Sequence, residues 1–96
     1  MNLELLRDRL EAMAALPGMR GCALVDGATG MVWLSAGDAE QLPLAEAATD
    51  YWRLCQRQEA FAGLGRVRAQ IVIHEHARVT LVRCGEGLLL VTLSHE

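Results

Sequence analysis

At 96 residues and 52% hydrophobic content, the chain can bury about 60 to 65% of its unfolded surface, which suits one domain spanning 1–96 and excludes two. Its formal charge of -3 and scattered acidic residues give no basic stripe for nucleic acid and no polybasic segment for a membrane, so neither is expected as a partner. All nine basic residues are arginine, which excludes Schiff-base, Ser-x-x-Lys and kinase-type lysine chemistry together with any Walker A loop.

The first stretch, MNLELLRDRLEAMAAL, interleaves charges with leucines and so lacks the apolar core of a secretory signal. No later apolar run approaches the roughly 20 residues of a spanning helix. Three cysteines, odd in number and without motif spacing, fit a reducing compartment, and the expected location is the cytoplasm. Asn2 is expected to cap an amphipathic helix with Leu3, Leu6, Leu10 and Met13 on one stripe, ended by Pro17-Gly18.

"GCALVD" and "MVWLSA" follow, both apolar on both faces, and are expected as strands covered on both sides. The link between them, Asp26-Gly27-Ala28-Thr29-Gly30, raises the question of a phosphate loop. Such a loop leads from a strand into a helix N-terminus, whereas these glycines lead into a second strand. A hairpin turn is expected, with Asp26 bonding the backbone two residues on and Gly supplying positive φ.

Asp38 with Gln41 offers a capping box, Pro43 suits a first turn, and a helix is expected to run to Ala62. Advancing about 100° per residue collects Gln56, Thr49, Arg53, Glu46, Arg57 and Asp50 into an arc of about 120°. The remaining apolar arc, from Phe61 through Leu54, Tyr51, Leu44, Cys55, Ala48 and Trp52 to Ala45, is about 200° wide, twice what one sheet face covers. A second partner for this helix is implied.

"RVRAQIVIHEH" alternates Val67, Ala69, Ile71 and Ile73 against Arg68, Gln70 and His74, as in an edge strand with one wet face. A reversal near Ala77 leads to "RVTLVRC", and "GEG" leads to "LLLVTLS", whose two apolar faces mark a central strand.

Catalytic constellations are weak. His74 and His76 share a strand face but lack further ligands: a reversal near Ala77 puts Cys84 opposite Gln70, about 13 Å along the strand from His74. No metal is expected. Cys22 and Cys55 read as small hydrophobes, and for Cys84 beside Arg83 sequence alone leaves a low-pKa thiol open. Ser35 and Ser94 lie outside any Gly-x-Ser-x-Gly elbow. No cofactor and no enzymatic activity are expected.

The element order, with "LPGMRGCALVDGATGMVWLSAG" after a first helix, resembles the roadblock/dynein light chain family through Pro17, Gly18, Gly21, Asp26 and Gly30, and "GEGLLLVTLS" looks like its last strand. The resemblance implies an α+β fold of order α-β-β-α-β-β-β, with a five-stranded antiparallel sheet in the order 2-1-5-4-3 and helices on both faces. It also implies a non-catalytic homodimer that binds or regulates a small Ras-like GTPase, or scaffolds a related motor or signalling complex. Many members continue into a third helix over the face covered by the first; the sequence stops at Glu96, and that helix is expected to be lacking.

A homodimer built from the second helix and the edge strand would cover both the over-wide arc and the open strand edge. Leu44, Ala48, Tyr51, Trp52 and Cys55 are expected at its interface, with Arg68, Gln70 and Val72 of the strand. Gly18, Gly21, Asp26 and Gly30 are expected as turn residues. The competing reading is a small-ligand sensor of profilin-like or PAS-like architecture, with a cavity on the order of several hundred Å³ lined by Trp33 and Met31.

Overall fold

Asn2 caps the first helix by accepting a hydrogen bond from the Leu5 amide on its Oδ1 at 3.1 Å. The computed structural model describes residues 2–38, 41–85 and 87–95, the side chains of Gln41 and Leu42 excepted. Along the chain these form α1 (Leu3–Ala14), β1 (Met19–Asp26), β2 (Val32–Gly37), α2 (Gln41–Gln56), a 3₁₀ helix (Glu59–Leu64), β3 (Ala69–Ile73), β4 (Arg78–Arg83) and β5 (Leu88–Ser94). The five strands make one antiparallel sheet in the order β2-β1-β5-β4-β3.

Alternation along β1 divides the core in two. Ala23 and Val25 point to α2, where Ala45, Ala48 and Trp52 meet Val79, Leu81, Leu89, Val91 and Leu93. Cys22 and Leu24 point the other way, to Leu10 of α1 and Leu34 of β2. The two-sided apolar runs of β1 and β5 are thus explained, since both strands lie inside the sheet with apolar neighbours on each face.

β2 departs from its expected double cover, because it is an edge strand. Its register against β1 shifts between Leu24 and Val25, pairing Leu24 with Leu34 and Val25 with Val32. Trp33 is the extra residue of that bulge and is left exposed. Leu34 joins the α1 side while Val32 packs on the α2 side, so one apolar run serves both cores.

The second helix is shorter than its periodicity suggests. It stops at Gln56, Gln58 is extended (φ -81°, ψ 104°), and the rest is a separate 3₁₀ turn with no buried residue. The break falls where Gln58 and Glu59 interrupt the apolar arc, leaving nothing to hold a continued helix against the sheet. The expected capping box rests partly on the Gln41 side chain, which lies outside the described residues; Asp38 forms an ion pair with Arg20 at 3.9 Å.

On the α1 side, contacts from that helix reach β1 and β2. The β3–β4 half of that face carries Ile71 and Ile73, 63% and 69% exposed. The wet face of β3 is therefore the aliphatic one, opposite to expectation: Gln70 and Val72 turn inward towards α2, and Ile71 and Ile73 face outward. The hairpin turns earlier than expected too. Gln70 pairs with Leu81 and Ile73 with Arg78, so Cys84 lies beyond the paired segment and still farther from His74.

Candidate interaction surface

Every amide from Asp26 to Met31 already has an acceptor, which answers the question raised by the Gly-rich link. Asp26 N donates to Met31 O at 2.8 Å, Gly27 N to Gly87 O at 2.8 Å and Gly30 N to Asp26 O at 2.8 Å. Ala28 N and Thr29 N donate to Asp26 Oδ1 at 2.8 and 3.1 Å, and Met31 N to Thr29 Oγ1 at 3.1 Å. No donor remains to cradle a phosphate. Gly30 has φ +81°, and a Cβ there would stand 3.0 Å from Thr49 Oγ1, so the turn rests directly on α2.

That docking explains why Thr49, placed on the polar arc by periodicity, is buried; its hydroxyl donates to Glu46 O at 2.7 Å. The amides of Ala28 and then Thr29 hold the Asp26 carboxyl below the ordinary aspartate value. A folded-state value depressed in this way stabilises the protein above the unfolded-state value and loses that contribution as pH falls through the folded one. Asp26→Ala is therefore expected to lower the thermal midpoint at neutral pH, with the gap to wild type closing in acid below the ordinary aspartate range. A gap unchanged down to pH 2 would contradict the assignment.

The second helix divides more finely than its arc implied. Ala45, Ala48, Thr49 and Trp52 face their own sheet. Leu44, Tyr51 and Leu54 remain 46%, 37% and 60% exposed, and with Ala47 they form a stripe at i, i+3, i+7 and i+10. Ala48 and Trp52, expected to touch a partner, are thus core residues of their own chain. A groove of about 310 Å³ runs beside this stripe, lined by Leu44, Ala47, Tyr51, His74 and Val79.

The β3 edge is tied to the same surface. Gln70 donates from Nε2 to Cys55 Sγ at 2.6 Å and to Tyr51 O at 3.2 Å, while its Oε1 is buried without a hydrogen-bond partner among the described residues. Tyr51 OH lies 3.1 Å from His74 Nε2. Leu44, Tyr51, Cys55, Gln70 and Val72 therefore come together beside the open edge of β3. Arg68 does not join them; it precedes the strand and lines a cavity with Arg66 and Arg83. Of the turn residues, Gly18 and Gly30 adopt positive φ, whereas Gly21 sits inside β1 opposite Gly37 rather than in a turn.

Among the described residues no group of three or more His, Cys, Asp or Glu is placed to hold a metal, and His76 is turned to solvent. Burial raises the thiols of Cys22 and Cys84, and Cys22 Sγ donates to Leu10 O at 3.2 Å, as a packed thiol does. Among the described residues no helix is long and apolar enough to cross a membrane.

No protein-family model matches the sequence, and no curated protein matches it. Solved structures do. The chain is similar to the roadblock/LC7 domain from Streptomyces avermitilis, with TM-score 0.77 and 21% identity over 99% of this chain and 79% of that one. It is similar to Myxococcus xanthus MglB, with TM-score 0.76 and 14% identity over 100% of this chain and 80% of that one. An MglB with a tetrameric arrangement gives TM-score 0.80 and 20% identity over 96% of this chain and 71% of that one. With this strand order and a helix on each face of the sheet, the chain has the fold of the roadblock/LC7 domain.

Proposed function

We propose that the chain is a non-catalytic, cytoplasmic interaction module that forms a homodimer and regulates or scaffolds a small Ras-like GTPase or a related signalling or motility complex. The observation that carries this reading is the coincidence of an exposed Leu44/Ala47/Tyr51/Leu54 stripe with the unpaired edge of β3 on one side of the molecule. A two-fold axis along that side packs α2 on its copy and joins two sheets edge to edge, removing both liabilities at once. The GTPase part rests on what the resemblance implies and on the fold shared with MglB proteins.

Sedimentation equilibrium at micromolar concentration tests the dimer. Wild type is expected as a dimer and Tyr51→Asp as a folded monomer, because Tyr51 belongs to the exposed stripe and lies outside the two buried clusters of its own chain. A monomeric wild type would sink the dimer. A Ras-like GTPase from the same organism is expected to co-elute with wild type and not with Tyr51→Asp.

One observation favours the ligand-sensor reading: an apolar cavity of about 270 Å³ between α1 and the sheet, lined by Leu3, Leu6, Leu24, Trp33, Leu34 and Leu88. It lies near the lower end of small-molecule sites, and Met31 does not line it. A ligand-induced rise in melting temperature that is lost in Trp33→Ala would favour this reading over the first.

A further inference from the structure

We propose that the arginine-lined cleft at the β4–β5 end of the sheet binds an acidic, carboxylate-rich segment of a partner protein in extended form. The sequence scatters its arginines, yet folding gathers five of the nine around two adjoining cavities. The smaller, of about 330 Å³, is lined by Arg53, Arg57, Arg66 and Arg83 over a floor that includes Trp52 and Leu89. The larger, of about 1030 Å³ and open to solvent, is lined by Arg66, Arg68 and Arg83. They meet at Arg66, Arg83 and Gly87.

Among the described residues, which do not include Glu86, no acidic side chain lines either cavity. The chain carries twelve acids against nine arginines, so a lining that holds five arginines and, among the described residues, no acid is a segregation of charge, offset at Arg53 by its ion pair with Asp50. Like charges gathered in one cleft repel one another, and a ligand of opposite sign relieves the repulsion.

Two of the five are already positioned by the fold. Arg83 donates to Val67 O at 2.6 Å with its guanidinium carbon 5.8 Å from the centre of the Trp52 ring. Arg53 is braced by Asp50 at 3.1 Å. Arg57, Arg66 and Arg68 are exposed and have no ion-pair partner among the described residues.

The form of the cleft selects the ligand. Four of the five arginines line the smaller cavity, and Arg66 and Arg83 continue with Arg68 into the larger one, so the positive lining extends past a single site and matches carboxylates spaced along a chain. A guanidinium fork takes a carboxylate in bidentate fashion, and the apolar floor accommodates the aliphatic part of such a segment. The proposal deepens the reading of the chain as an interaction module and rests on it, but the cleft belongs to a single copy and does not need the dimer.

The test is fluorescence anisotropy of a labelled oligoglutamate peptide titrated with the full chain at low salt. Wild type is expected to bind, with affinity falling as salt is added. Arg57→Gln/Arg66→Gln is expected to weaken binding roughly tenfold, two charge-assisted contacts being lost. Arg7→Gln/Arg9→Gln on α1 is expected to bind as wild type does.

Absence of binding by wild type, an equal loss in the two double variants, or tighter binding of a single-stranded DNA oligonucleotide than of the peptide would each overturn the proposal. Sedimentation of Arg57→Gln/Arg66→Gln is expected to match wild type. A failed dimer with retained peptide binding, or the reverse, therefore tells the two readings apart.

Discussion

Trp52→Ala is expected to destabilise the protein by about 3 to 5 kcal/mol, the range for removing a buried large aromatic. At 7% exposure Trp52 is the largest side chain in the α2 core, where it packs with Ala48, Val79, Leu81 and Leu89. It is also the floor beneath the Arg83 guanidinium, so truncation leaves a cavity and frees Arg83 together. Urea unfolding should show a much lower midpoint with an unchanged slope. For a chain of this size the loss is a large share of total stability.

The contrast with Tyr51 is the informative part. Tyr51→Asp should keep its unfolding midpoint when measured in the monomer, whereas Trp52→Ala should lose it whatever the oligomeric state. If Trp52→Ala instead unfolds like wild type and only dissociates, the assignment of Trp52 to the core of its own chain is wrong.

Gly37→Ala is expected to cost about 3 kcal/mol or more, from two sources acting at one position. Gly37 has φ +103°, a conformation that side-chain-bearing residues rarely adopt, and such strain costs of order 1 to 3 kcal/mol. A Cβ there would also stand 2.5 Å from Arg20 O and 2.6 Å from Gly21 Cα, both backbone atoms of β1 that cannot rotate away. Gly21 and Gly37 are paired at the end of the β1–β2 ladder, and the strands approach there only because Gly37 carries no side chain. Relief would require the end of β2 to peel off, which circular dichroism and faster amide exchange in 34–37 should report. A variant as stable as wild type, with exchange unchanged, would show that this close approach is not required.

How far the sequence could be read follows from which forces act locally. The Asn2 cap, the Asp26 turn and the alternation of β3 involve residues a few positions apart, and each is present in the structure. The strand order came with the resemblance to the roadblock family, carried by the succession of Pro17, Gly18, Gly21, Asp26 and Gly30, and the sheet has that order. The excess apolar width of α2 was also legible, because the angular spread of side chains on a helix is set by residue spacing alone. Leu44, Tyr51 and Leu54 do stay outside the core.

Which part of that width turns inward was not legible. It depends on where the helix sits over the sheet, and that put Ala48 and Trp52 in the core, Thr49 beneath the β1–β2 turn, and Leu54 in solvent. The polarity of β3 failed for a similar reason. Period-2 alternation says that a strand has two unlike faces, but only the helix lying over Gln70 and Val72, with none over Ile71 and Ile73 among the described residues, decides which one is wet. The arginine cleft was least visible of all, since Arg53 and Arg57 at the end of α2 meet Arg66 and Arg83 through the crossing of helix and sheet. The sequence by itself determined the cap, the turn, the period of each element and the surplus apolar surface, all consequences of local covalent geometry; the tertiary structure decided which faces meet, because burial is a property of the assembled sheet and helices and not of any one segment.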